Sequence, residues 1–215
     1  MIDLDVIFPR PMTFGEGDIK IACVGDSITY GMCIDDRAHH SYPAVLSRFL
    51  GSSYSIKNFG VSNRCATRQY PFGYFLTGFE WKIKKYRPDI ALIMFGSNDS
   101  KLLIWNKDRF REDYIKLINK IKKKNARIFI LLPIPAYNDD EPPGKYRINN
   151  ELIAADIRDV LIGVAKEHGA KIIDLYTPLI DRRELYADGI HPNEAGAAVI
   201  AEVIYNKIRE VKNDF

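Results

Sequence analysis

Three observations predict an α/β fold in which helices cover both faces of a parallel sheet. Five short runs are rich in apolar residues, the spacing between them switches to a helical period, and no long linker or repeat divides the chain. The runs are Ile19 to Val24, Tyr54 to Asn58, Ile90 to Phe95, Arg127 to Leu132 and Lys171 to Leu175. They are read as parallel strands of one sheet, covered on both faces.

The intervening segments read as helices. Phe110, Tyr114, Leu117, Ile118 and Ile121 fall on one helical face, as do Ile153, Ile157, Val160, Leu161 and Val164. Gly169 after His168 is a helix stop. The last helix is expected to open at Pro192-Asn193, where asparagine can cap free amides, and to run through Ile200, Val203, Ile204 and Ile208. Two stretches read as loops, Asp35 to Ser41 and Ile134 to Arg147; the second holds Pro135, Pro142, Pro143 and Gly144. Because it follows a strand, it belongs at the carboxyl edge of the sheet, as a cover for a pocket or as a plain surface connection.

A chain of 215 residues suits one domain, expected as an N-terminal arm over 1–18 and a single domain over 19–215. With 47% hydrophobic and 27% charged residues, disordered and collagen-like classes are excluded. A net charge of +3 is too small an excess to point to nucleic acid or an anionic membrane, so neither is expected as a partner; the run Lys120 to Lys124 reads as a solvated helix end. Cys23, Cys33 and Cys65 have neither disulfide-framework nor metal-ligand spacing, so reduced thiols are expected, with Cys23 in the core. No stretch is long enough to span a bilayer, and Met1 to Phe14 lacks the pattern of a secretion signal. A cytoplasmic location is therefore expected, although a chain trimmed of its signal would look the same. Oligomeric state is not legible.

Four fragments carry chemistry: Gly25-Asp26-Ser27, Gly60 after Lys57-Asn58-Phe59, Gly96-Ser97-Asn98-Asp99, and Asp188-Gly189-Ile190-His191. Ser27 follows the first strand, where its hydroxyl faces the edge at which ligands collect, but serine is a poor nucleophile until a base takes its proton. Of four histidines, His168 sits at a helix end and His39 and His40 in a polar loop. His191 differs, because Asp188 precedes it by three positions across a glycine. That spacing lets one tight turn bring the carboxylate to Nδ1 and leave Nε2 to accept the serine proton; taken singly it reads equally as an aspartate turn followed by a helix-start histidine. An oxyanion formed at Ser27 needs donors: Gly60, which has no Cβ to block its amide, the side chain of Asn98, and the Ser27 amide are the candidates. Taken singly, Gly60 also reads as a turn and Asn98 as a helix cap.

In these four blocks the chain resembles the SGNH, or GDSL-type, hydrolases, whose name lists a serine, glycine, asparagine and histidine matching Ser27, Gly60, Asn98 and His191 in order, from about Ile19 to Gly196. The resemblance implies a flavodoxin-like three-layer α/β/α sandwich with a five-stranded parallel sheet. It implies a catalytic triad of Ser27, His191 and Asp188 without metal or cofactor, and an oxyanion hole shared by Ser27, Gly60 and Asn98. Asp26 is expected to brace the serine turn. Asn63 stands where many relatives carry a second glycine, and Ser97 where threonine is common. Neither change removes a proposed catalytic group, and both are expected to alter the pocket wall.

Family resemblance does not choose a substrate. The second and third blocks are similar to those of carbohydrate-directed, sialate O-acetylesterase-like enzymes, which implies a short-chain, acetyl-directed serine esterase acting on a small or carbohydrate ester. Asn63, Arg64, Arg68, Tyr70, Tyr74 and Trp105 are then rim residues that stack on a sugar or pair with a carboxylate, or else plain loop packing. The alternatives are a lysophospholipase or thioesterase, and a non-catalytic glycan- or protein-binding module on the same fold. A flavin- or nucleotide-binding protein is disfavoured, since Asp26 would repel a phosphate after the first strand.

Overall fold

The computed structural model describes residues 10–69, 71–122, 125–138 and 144–212. Its centre is one sheet of six strands: β1 Met12–Phe14, β2 Ile19–Gly25, β3 Tyr54–Gly60, β4 Ile90–Met94, β5 Arg127–Leu132 and β6 Lys171–Asp174. They lie in the order β1-β3-β2-β4-β5-β6, parallel except for β1, which pairs antiparallel with β3. The five apolar runs are the five parallel strands, with bounds shifted by a residue or two. The sixth strand corrects the expected count of five. Met12–Phe14 is too short to carry a periodic signal, and pairing with β3 is what makes it a strand.

Alternate residues of each parallel strand enter two separate cores. Ala22 and Val24 of β2, Ala91 and Ile93 of β4, and Ile128 and Ile130 of β5 face one. They meet α3 Phe79–Tyr86, α4 Lys107–Ile121 and α5 Arg158–His168 there, through Ile83, Tyr114, Leu117 and Leu161 among others. On the opposite face Ile21, Cys23, Ile56, Leu92 and Phe129 meet Val45 and Leu46 of α2 Tyr42–Leu50, and Ile200, Ile204 and Ile208 of α6 Glu194–Lys212. Burial on both sides favours apolar residues throughout, as in β4, although β3 carries Ser55, Lys57 and Asn58 among its apolar residues. Each Val, Leu, Ile or Phe side chain withdrawn from water there contributes about 1.5–3 kcal/mol.

Several local expectations hold in detail. Gly169 closes α5 in the left-handed region at φ 64°. Asn193 Oδ1 accepts from Gly196 N at 3.0 Å at the start of α6. A π-helical turn, Ile153–Ile157, leads into α5. Cys23 and Cys65 are buried, Cys33 is exposed, and none is in a disulfide. Among the described residues no helix is long and apolar enough to cross a membrane.

The register aligns the functional blocks. Gly25 at the end of β2 lies beside Gly60 of β3 and Met94 of β4, so the segments that follow all leave the sheet at its carboxyl edge.

Candidate active site

Ser27 opens α1, Ser27–Tyr30, with Asp26 alone between it and the end of β2 at Gly25. The turn is held by Asp26, whose Oδ1 accepts from Ile28 N at 3.0 Å. Being the first residue of a helix, Ser27 has an amide with no intrahelical acceptor. Its Oγ lies 2.8 Å from His191 Nε2. His191 Nδ1 in turn lies 2.7 Å from Asp188 Oδ2, while Asp188 Oδ1 accepts from the amides of Ile190 at 2.9 Å and His191 at 2.7 Å. Partial burial works to raise the Asp188 carboxyl, but the imidazole and the two amides outweigh it and hold it at about 2. The carboxylate is thus ionised at neutral pH and fixes the imidazole with its proton on Nδ1, leaving Nε2 to accept.

The turn that makes this possible needs Gly189, which has φ 87° and packs so closely on Tyr137 that a Cβ would stand 2.1 Å from the Tyr137 carbonyl oxygen.

Gly60 is placed differently from expectation. Its N–H already donates to Asn58 Oδ1 at 2.8 Å, in a buried position, so it is not directed at the cavity beside Ser27. What Gly60 does provide is close approach: a Cβ there would lie 2.2 Å from Tyr30 N, inside α1. Asn58 completes this joint, its Nδ2 donating to the Thr29 carbonyl at 2.8 Å. The residues of the second block that do line the cavity are Ser62 and Asn63, the latter in the left-handed region at φ 58°. A three-residue offset within one block is invisible to motif matching; the frequent glycine at the Asn63 position of relatives was the available signal.

Asn98 begins a short 3-10 turn, Asn98–Ser100, after β4. Its Nδ2 donates to the Arg64 carbonyl at 3.2 Å and its Oδ1 accepts from Lys101 Nζ at 2.7 Å. Lys101 also donates to Asn63 Oδ1 at 3.2 Å, so one ammonium ties the second block to the third. Beneath them Asp99 takes the amides of Ala66 at 3.1 Å and Thr67 at 2.9 Å. Burial raises Asp99 to about 6 despite these bonds. Burial is also the main reason that Asp26 is pushed up to about 7; its bond from Ile28 opposes this and nearby Asp99 adds to it.

The cavity at this junction measures about 250 Å³, with Ser27, Asn63, Asn98 and His191 in its wall beside the apolar Met32 and Ile148. Lys101 and Tyr146 also line it and were not singled out from sequence. Lys101 stands three residues after Asn98, within hydrogen-bonding reach of its side chain. Tyr146 belongs to the stretch expected as a loop, of which 139–143 lie outside the described residues.

Among the proposed rim residues that are described, only Asn63 lines this cavity. Arg64 contributes its carbonyl to Asn98 and its guanidinium to the Pro71 carbonyl at 2.6 Å. Arg68 stacks over Phe75 at 5.0 Å and borders a separate depression with Arg109 and Lys116. Trp105 packs on Phe110, 5.6 Å between ring centroids. Tyr74 is a core residue, fully buried, with its hydroxyl donating to the Phe59 carbonyl at 2.7 Å. These corrections share a cause: aromatic and long basic side chains serve packing as readily as binding, and sequence does not distinguish the two. Tyr70, also expected at the rim, lies outside the described residues.

Solved structures share this architecture. An aryl esterase from M. smegmatis superposes with a TM-score of 0.72 at 17% identity, covering 89% of this chain and 98% of that one. A carbohydrate acetylesterase from Sinorhizobium meliloti gives 0.71 at 17% identity, covering 89% and 99%. In sequence the chain is 36% identical to an acetylxylan esterase of Xylanibacter ruminicola, over 90% of this chain and 44% of the relative. It is 29% identical to a multidomain esterase of Ruminococcus flavefaciens, over 87% and 28%. The chain thus spans less than half the length of either. Residues 23–199 match the GDSL-like lipase/acylhydrolase family, and the chain belongs to that family.

Proposed function

We propose that the protein is a serine esterase that removes short acyl groups, acetyl foremost, from a polar alcohol such as a sugar. The observation that carries this reading is the unbroken hydrogen-bonded series from Ser27 Oγ through His191 to Asp188, at 2.8 and 2.7 Å. Ser27 attacks the ester carbonyl as His191 Nε2 takes its proton, and Asp188 stabilises the resulting imidazolium. The tetrahedral oxyanion is received by the amide of Ser27, the Asn98 side chain and the backbone at Asn63. Collapse expels the alcohol with the proton from His191, and water, activated by the same imidazole, then releases the acid.

The small cavity favours a short acyl group, and the 36% identity to an acetylxylan esterase favours a carbohydrate alcohol. Initial rates on p-nitrophenyl acetate, butyrate and longer esters test the acyl part; an optimum at long chains points instead to a lysophospholipase or thioesterase. Acetate release from acetylated glycans by wild type and Ser27→Ala tests the alcohol. A folded sample that a fluorophosphonate probe does not label at Ser27 would favour the non-catalytic binding module.

A further inference from the structure

We propose that Cys33, Asp188 and His191 form an inhibitory site for a thiophilic divalent cation of the zinc type. The inference rests on the esterase reading above, because two of its ligands are assigned there to the triad. Cys33 is exposed, in the left-handed region at φ 65°, a few residues after Ser27. Its Sγ points at Asp188 Oδ2 across 3.6 Å. Ligand atoms of Cys33, Asp188 and His191 all lie within 4.8 Å of one another.

Bond lengths of roughly 2.3 Å to sulfur and 2.0 Å to oxygen place the two atoms about 3.5 Å apart on a tetrahedral ion. The present 3.6 Å separation matches that spacing. The Asp188–His191 contact, 2.7 Å as a hydrogen bond, opens by about half an ångström when the metal replaces the shared proton. Sulfur, imidazole and carboxylate are the ligand set of zinc rather than of magnesium or calcium, and water completes the fourth position.

Binding explains inhibition through proton positions. The thiol proton leaves to solvent, and the metal takes the Nδ1 lone pair. Neutral His191 must then carry its single proton on Nε2, from which it donates to Ser27 Oγ instead of accepting. The base is locked in the wrong tautomer, a fault that costs about 10⁴ in turnover when it is imposed on a serine triad by mutation. Asp188 Oδ1 keeps its two backbone donors throughout, so the turn itself is undisturbed.

The test is a titration of wild type and Cys33→Ser with zinc chloride, followed by EDTA, against p-nitrophenyl acetate. Wild type is expected to lose activity at micromolar zinc and regain it with chelator. Cys33→Ser is expected to hold basal activity and to require at least tenfold more metal. Cobalt(II) supplies a readout independent of turnover: a thiolate-to-cobalt charge-transfer band in wild type and in Ser27→Ala, absent from Cys33→Ser. Equal zinc sensitivity of wild type and Cys33→Ser, or no thiolate band in wild type, overturns the proposal. Lack of esterase activity in metal-free protein overturns only the esterase reading, since the cobalt spectrum still reports on the site.

Discussion

The Lys101 ammonium donates to Asn98 Oδ1 at 2.7 Å and so fixes which end of that amide is oxygen at the cavity it shares with Ser27. The Arg64 carbonyl, 3.2 Å from Nδ2, demands the same orientation, which makes the assignment of oxygen and nitrogen self-consistent. An amide held by a charged donor on its oxygen is also the better donor through its nitrogen.

Lys101→Met is accordingly expected to lower kcat about tenfold with little change in KM, a fraction of the 10²–10³ lost when an oxyanion donor is removed outright. Asn98→Ala should show that full loss. In an Asn98→Ala background, Lys101→Met should then add nothing; steady-state kinetics on all four proteins makes the comparison. Equal effects in both backgrounds would show that Lys101 acts by another route.

Gly60→Ala tests the reassignment of that glycine. Its new methyl group would collide with the backbone of α1, so the expected effect is a loss of roughly 1–3 kcal/mol of stability, read as a lower midpoint in urea unfolding. A variant of unchanged stability but greatly reduced kcat would restore Gly60 to the oxyanion hole.

Asp188→Asn should preserve the fold and reduce kcat by about 10⁴, because an amide in place of the carboxylate favours the wrong imidazole tautomer. The Asp188 carboxyl is held at about 2, below its ordinary value, so its stabilising bonds are complete above the unfolded value and fail as pH falls through 2. Loss of activity in the mildly acidic range therefore does not come from Asp188, and the wild-type pH–rate profile should show no inflection traceable to it above pH 4.

Asp26 gives the opposite sign. Its folded value of about 7 lies above that of the unfolded chain, so its contribution is greatest in acid and declines as pH rises toward 7. One oxygen, Oδ2, is buried without a hydrogen-bond partner among the described residues, which is where a negative charge would be least tolerated. Asp26→Asn is expected to gain on wild type between pH 4 and 8 in Tm measured by scanning calorimetry. A difference independent of pH would mean that Asp26 stays ionised.

The parts of the molecule governed by burial were legible in the sequence. An uninterrupted apolar run such as Ile90 to Phe95 suits a strand covered on both faces, and the Asp188–His191 spacing allows the tight turn that the structure closes at 2.7 Å. Legibility failed where a side chain has two physically equivalent uses. Tyr74 and Trp105 have the same composition in a core as at a rim, and only packing separates those fates. Gly60 and Asn63 lie three residues apart on one strand-to-loop exit, and which of them faces the cavity depends on how Asn58 satisfies the Gly60 amide. The role of Lys101 required knowing that the second and third blocks meet.

The antiparallel pairing of Met12–Phe14 with β3 has a bearing on behaviour in concentrated solution. An unpaired strand margin is a template on which another chain can add, and this short segment occupies one of the two that a five-stranded parallel sheet would otherwise leave bare. Among the described residues the borders that remain are the outer side of this three-residue segment and β6, four residues long and beginning at Lys171. A protein shortened past Phe14 would therefore expose fresh hydrogen-bonding groups along β3 and favour clumping, even with every catalytic group in place.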